Sequence, residues 1–153
     1  MKIGELARRT GCPVETIRYY EREGLLPEPA RSAANYRLYG EPHAERLAFI
    51  RHCRALDMTL GEIRALLDCH DHPQRPCQEA DALIDEHLRH VETRIAQLQA
   101  LKGALISLRA RCNGESAAGD CGILNELARP LQTSELAPRG GDDVHVPGTH
   151  RGI

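Results

Sequence analysis

Between residues 77 and 112 the apolar side chains repeat with the period of a helix. Cys77, Ile84, Val91, Leu98, Leu105 and Cys112 fall every seven residues, and Leu88, Ile95, Leu101 and Leu108 widen the stripe. The pattern predicts one long helix with a cysteine at each end, a coiled-coil seam. At ~1.5 Å of rise per residue those cysteines stand roughly 50 Å apart, beyond the reach of any shared ligand within one chain. Antiparallel pairing of two copies removes that obstacle. With Cys77 set opposite Cys112, Ile84 meets Leu105, Leu88 meets Leu101 and Val91 meets Leu98, so the seam is nearly symmetric about its centre. The pattern therefore predicts a homodimer with one self-complementary interface and two equivalent thiol clusters. A hairpin within one chain would need a second helix of comparable length, and none is predicted.

Upstream, the periods are shorter. Ile3 to Arg9 forms an amphipathic helix ended by Gly11, and Pro13 opens a second helix that runs to about Glu23, before Gly24. Ile17 and Tyr20 share one side of it, leaving Thr16, Arg18, Tyr19 and Arg22 elsewhere. Two short helices around a glycine turn make a helix-turn-helix. Leu25-Leu26-Pro27 ends it, and Arg31 to Tyr39 alternates like a small hairpin or wing. Helices are expected over Glu41–Leu56, with Leu47, Phe49, Ile50, Cys53 and Leu56 apolar, and from the capping box Thr59-Leu60-Gly61-Glu62 through Leu67. The fold class is mainly α: a winged helix-turn-helix at 1–69, a linker at 70–76, the dimerisation helix at 77–112, a loop and short helix at 113–128, and a Pro- and Gly-rich flexible tail at 129–153.

Composition sharpens this division. Net charge is only −2, but residues 1–55 carry ten Arg and Lys against seven Asp and Glu, whereas residues 56–153 carry ten against fifteen. All four tyrosines and the one phenylalanine lie in the first third. A basic, aromatic-bearing module followed by an acidic helical one suggests nucleic-acid contact at one end. Arg18, Tyr19, Arg31 and Arg37 are candidates for phosphate contact, Asn35 and Tyr36 for hydrogen bonds to the backbone, and Thr16 for the outward face of the second helix. No apolar run is long enough for a membrane span and no signal peptide is evident, so a cytoplasmic location is expected. There the six cysteines read as metal or redox thiols rather than disulfides.

Three motifs carry a family resemblance: Ile3-Gly4-Glu5-Leu6-Ala7, Val14 through Leu26 with its central Ile17-Arg18-Tyr19-Tyr20-Glu21, and Asn35-Tyr36-Arg37-Leu38-Tyr39. Together they resemble the N-terminal signature of the MerR family of transcription regulators, with likeness extending over residues 1–128. Cys77, Cys112 and Cys121, with Asp57-Met58-Thr59-Leu60 and Ile84-Asp85-Glu86-His87, resemble the cadmium- and lead-responsive branch. The resemblance implies no enzymatic activity. It implies a homodimer on double-stranded promoter DNA whose polymerase recognition hexamers are too widely spaced, metal binding making the dimer distort the spacer for RNA polymerase. A cysteine rather than a serine at position 77 implies divalent over monovalent metals.

The thiols agree with that chemistry. The small polar loop 113–120 lets Cys121 return beside Cys112, where both can converge with Cys77 of the partner subunit. Three thiolates suit a soft divalent ion, Cd(II) or Pb(II), with Zn(II) or Hg(II) also accommodated. Cys77 and Cys121 stand at helix starts, which favour thiolate. Cys12 and Cys53 lack ligand-spaced neighbours and read as small apolar residues. Two rival groupings stand beside this trio: a local cluster from Cys69-His70-Asp71-His72 to Cys77, and a second site joining His87 and His90 with His145 and His150. A different class of function is a cytosolic thiol-based metal buffer or redox protein, which would leave the N-terminal module without a role.

Overall fold

The computed structural model describes residues 1–131, which fall into two compact units divided after Ile84. The first unit contains α1 (Ile3–Thr10), α2 (Val14–Arg22), the strands β1 (Ala30–Arg31) and β2 (Arg37–Leu38), α3 (Glu41–Ala55), α4 (Leu60–Asp71) and the start of α5 (Gln78–Arg109). The second contains the rest of α5, a turn of 3₁₀ helix at Ala118–Asp120 and α6 (Gly122–Ala128). The mainly helical fold with a helix-turn-helix and one long helix is as the sequence predicts. No helix among the described residues is long and apolar enough to cross a membrane.

The first unit closes around one core. Leu6 of α1, Ile17 of α2, Leu25, Leu47 and Ile50 of α3, and Ile63 and Leu67 of α4 are all fully buried. Burying each such side chain is worth ~1.5–3 kcal/mol, enough to hold short helices that would not persist alone. Cys12 and Cys53 lie in this core, and burial pushes both thiols up, as their apolar reading requires. Leu56 is an exception to expectation: it follows the C-terminus of α3 and is exposed.

Local chemistry sets the helix ends. Gly11 follows α1 at φ 66° and Gly24 follows α2 at φ 72°, a backbone region that suits glycine. At α4, Thr59 Oγ1 accepts from the Glu62 N–H and Glu62 Oε1 accepts from the Thr59 N–H, each at 3.1 Å. This is the reciprocal capping box expected from sequence. α4 runs one turn beyond the predicted Leu67, to Asp71. α5 is shorter than predicted: Cys77 precedes its first residue, and after Arg109 single-turn bonds lead out to Cys112. Both cysteines therefore flank the helix instead of lying within it.

The wing is a short antiparallel pair, Ala30 opposite Leu38 and Arg31 opposite Arg37. Its tip is built by Ser32, whose N–H donates to the Tyr36 carbonyl and whose carbonyl accepts from the Asn35 N–H, both at 2.8 Å. Asn35 takes φ 65°, which asparagine tolerates better than most residues. Tyr39 ties the wing to α2: its hydroxyl donates to Glu21 Oε1 at 2.5 Å, and burial with that carboxylate pushes its pKa up to about 12.

Candidate nucleic-acid interface and thiol site

The exposed faces of α2 and the wing enclose an open concavity of ≈ 400 Å³ lined by Lys2, Ile3, Arg18, Arg31, Asn35, Tyr36 and Arg37. Five of the seven sequence-predicted contact residues meet there. Thr16 and Tyr19 lie on α2 outside that lining, Tyr19 exposed and Thr16 half-buried. Lys2 is an addition that the sequence reading missed. Its Nζ lies 5.4 Å from the centre of the Tyr36 ring, within cation–π range. The available signal was a cation immediately before the first helix of a helix-turn-helix.

The wing arginines divide their work. Arg31 Nη1 reaches the Asn35 carbonyl and its Oδ1, both at 3.3 Å, so Arg31 braces the tip and the Asn35 side-chain amide keeps its donors. Several other cations of this basic module serve the fold. Arg46 Nε donates to the Leu25 carbonyl at 2.5 Å and its two Nη atoms grip Asp71 at 2.6 and 3.0 Å. Arg51 donates to the Thr10 carbonyl, and Arg64 Nη2 donates to the Glu23 carbonyl at 2.7 Å. Lys2, Arg18 and Arg37 line the concavity, a shape and charge suited to a polyanion backbone.

In the second unit the chain returns on itself after α5 and brings Cys112 to Cys121. The Cys112 thiol is close enough to the Cys121 sulfur to favour its thiolate. Cys121 stands at the N-cap position of α6, where the amides of Leu124 and Ile123, with that thiol, hold its pKa below the ordinary cysteine range. The Leu124 amide is the largest cause. The Gly114 N–H donates to Cys112 Sγ at 3.3 Å. Arg111 Nη1 meets Glu126 Oε2 at 3.2 Å, fastening α6 beside the end of α5.

Gly122, the first residue of α6, makes this return possible and was not singled out from sequence. A Cβ there would lie far inside van der Waals contact of the Arg111 carbonyl oxygen, 3.0 Å from Arg111 Cβ and 3.1 Å from its carbonyl carbon. Only glycine lets the backbone beside Cys121 approach the backbone beside Cys112 this closely. The signal was a glycine at a helix start, directly after a candidate ligand. Two neighbouring polarisable sulfurs, one already biased to thiolate, form a donor set that fits a soft cation and leaves its coordination incomplete.

Cys77 is exposed at the start of α5, in the first unit. The local cluster is not assembled. His70 stacks on Phe49 with ring centres 5.2 Å apart, Asp71 is held by Arg46, and His72 Nδ1 lies 2.7 Å from the Asp68 carbonyl. His87 is half-buried on α5; His90 is exposed, 4.0 Å from Glu86. His145 and His150 lie outside the described residues.

Along α5 no residue is buried. Ile84, Leu88, Val91, Ile95, Leu98, Leu101 and Leu105 are between 38% and 57% exposed, an apolar face that the single chain leaves uncovered.

A wing-bearing helix-turn-helix with a basic concavity defines a DNA-binding regulator. Residues 1–69 match the model of the MerR HTH family regulatory protein, and residues 44–108 match that of the MerR DNA-binding region. The chain belongs to the MerR family of transcription regulators. It is 47% identical over 111 residues to the "HTH-type transcriptional regulator ZntR homolog" of Haemophilus influenzae, covering 72% of this chain and 82% of that protein. Among solved structures it is similar to the regulator PbrR691 of Ralstonia metallidurans CH34 in complex with lead(II), at 53% identity and TM-score 0.78, covering 84% of this chain and 99% of that one. It is also similar to MerR of Bacillus megaterium MB1 in complex with mercury(II), at 31% identity and TM-score 0.68, covering 84% and all of that chain.

Proposed function

We propose that this chain is a metal-responsive transcription regulator. It acts as an antiparallel homodimer on promoter DNA and binds a soft divalent ion through Cys77 of one protomer and Cys112 and Cys121 of the other. The observation that carries the reading is the Cys112–Cys121 thiol pair, two donors short of a closed site, on a chain whose long helix exposes an unbroken apolar face. Antiparallel pairing covers that face and brings the third thiolate to the pair. Charge agrees: the first half of α5 carries Glu79, Asp81, Asp85, Glu86 and Glu92 against Arg89, and the second carries Arg94, Lys102 and Arg109. In this pairing Lys102 approaches Glu86 of the partner subunit and Arg109 approaches Asp81 of the partner subunit, whereas parallel pairing would stack like charges. The sensed ion is Pb(II) or Cd(II), the former held by the relative PbrR691; three thiolates with an open position also admit Hg(II) and Zn(II).

The DNA face engages phosphates through Lys2, Arg18 and Arg37, with Tyr36 and the Asn35 amide fixing register. Metal acts by differential binding: the loaded dimer favours a conformation that offsets the cost of bending and untwisting the spacer, and RNA polymerase then engages the realigned promoter. The test is in vitro transcription from the DNA upstream of this chain's own gene, with Pb(II) and Cd(II) added separately. Metal-dependent activation on a promoter that the apo protein already binds is expected. Specific DNA binding without any metal response would reject the sensing role, and metal uptake without DNA binding would favour a thiol buffer.

A further inference from the structure

The last turn of α4 carries two carboxylates, Asp68 and Asp71, and each is held by an arginine from a different neighbour. Arg46 of α3 grips both oxygens of Asp71, at 2.6 and 3.0 Å, while its Nε donates to the carbonyl of Leu25 just beyond the recognition helix α2. One guanidinium thus joins the exit of α2 to the end of α4, using its rigid fork of donors on two acceptors at once. Asp68 is held from the other side: Arg75 Nη1 donates to its Oδ2 at 2.7 Å, and the same Nη1 is 3.9 Å from Glu79 in the first turn of α5. Arg75 stands two residues before Cys77.

The segment between Asp68 and Cys77 is short and stiff. Pro73 and Pro76 fix two φ angles, and the Arg75 N–H closes a turn onto the His72 carbonyl at 2.9 Å. A displacement of Cys77 is therefore carried by a nearly rigid turn to Arg75, instead of being absorbed by slack chain. Both arginine pairs act on one helical turn, so motion of one carboxylate moves the other.

We infer that Arg75 and Arg46 are positioning residues that couple metal capture at Cys77 to the recognition helix, through Asp68 and Asp71 on the last turn of α4 and the Leu25 carbonyl. The inference rests on the metal-sensing reading above, and it assigns the route by which that signal reaches DNA. Neither arginine touches metal or DNA in this role. The Arg75 pair is solvent-exposed, so its contribution to folding is small and its removal leaves the module intact.

The test uses the full chain and five variants, Arg75→Gln, Asp68→Asn, their double variant, Asp71→Asn and Arg75→Lys, each measured for Pb(II) affinity by the thiolate charge-transfer band, operator affinity by gel shift, and Pb(II)-dependent transcription. Each single variant should lose about two- to five-fold in activation, in line with one exposed charge pair, with both affinities within about two-fold of wild type. The double variant should lose less than the product of the single losses, because both singles remove the Arg75–Asp68 contact. Asp71→Asn should show the same separation of binding from activation, and Arg75→Lys should retain part of the response. Activation equal to wild type in the singles, losses that multiply in the double, or a loss wholly accounted for by weaker Pb(II) or operator binding would each overturn the coupling. A wild-type chain with no thiolate charge-transfer band for either Pb(II) or Cd(II) overturns the sensing reading and the coupling with it.

Discussion

Replacing Gly122 by alanine tests whether the return of the chain after α5 is what assembles the thiol pair. The added methyl must find room beside Arg111, where its carbon would sit 3.0 Å from Arg111 Cβ and 3.1 Å from the carbonyl carbon, with the carbonyl oxygen closer still. Two of those three atoms are backbone, so no side-chain rotation relieves the contact, and α6 must lift away from the end of α5. Overpacking of this kind costs ~1–3 kcal/mol. The metal needs the packed arrangement, so that cost appears in metal affinity, as a dissociation constant raised roughly 5- to 150-fold at ~1.4 kcal/mol per decade. Gly119→Ala is the control, since a Cβ there has nothing within 4 Å. Competition titration of Pb(II), followed by the charge-transfer band, measures both variants, and thermal unfolding of the first unit should be unchanged. Gly122→Ala with wild-type Pb(II) affinity would show that the Cys112–Cys121 approach seen here is not the one the metal requires.

Other outcomes follow from the charge and exposure of particular groups. Lys2→Met and Arg37→Ala should each weaken binding to specific and non-specific DNA alike and reduce the slope of log affinity against log salt by ~0.9, one phosphate contact. A gel-shift series over salt measures this, and an unchanged slope removes that residue from the interface. Cys121 should alkylate with half-maximal rate at a pH below that of free cysteine, because its depressed pKa supplies thiolate before an ordinary thiol ionises. Cys12 and Cys53, buried and shifted upward, should label only on unfolding. Mass-spectrometric mapping of apo protein over a pH series would contradict this if Cys12 reacted before Cys121.

Much of the fold could be read from sequence because it is governed by local rules. The Thr59–Glu62 capping box, the glycines after α1 and α2 and the heptad stripe of α5 each depend on residues within a few positions of one another, and the structure contains all of them. The wing was predicted as a hairpin, but the Arg31–Asn35 brace at its tip was not, since both side chains had been assigned to DNA. Nothing local marks Arg46, because its partner Asp71 lies 25 residues away. Gly122 escaped for a related reason: its role is to admit the backbone of Arg111, a contact that exists only once the loop 113–120 has turned the chain around. The exit of α5 before Cys112 also follows from tertiary placement, because the helical stripe continues to Leu108 whether or not the next residues are helical.

The central claim, that the thiol site is shared between antiparallel protomers, is tested most directly by counting metal in a designed heterodimer. One chain carries Cys77→Ser and the other carries Cys112→Ser with Cys121→Ser, differently tagged and co-purified. In a shared site the damage falls together: one end of the dimer loses all three thiols and the other keeps an intact trio. The heterodimer should therefore bind one thiolate-coordinated Pb(II) per dimer, while each parental homodimer, damaged at both ends, binds none in that form. If the three thiols came from a single chain, both ends of the heterodimer would be incomplete, and absence of the charge-transfer band would contradict the shared-site account.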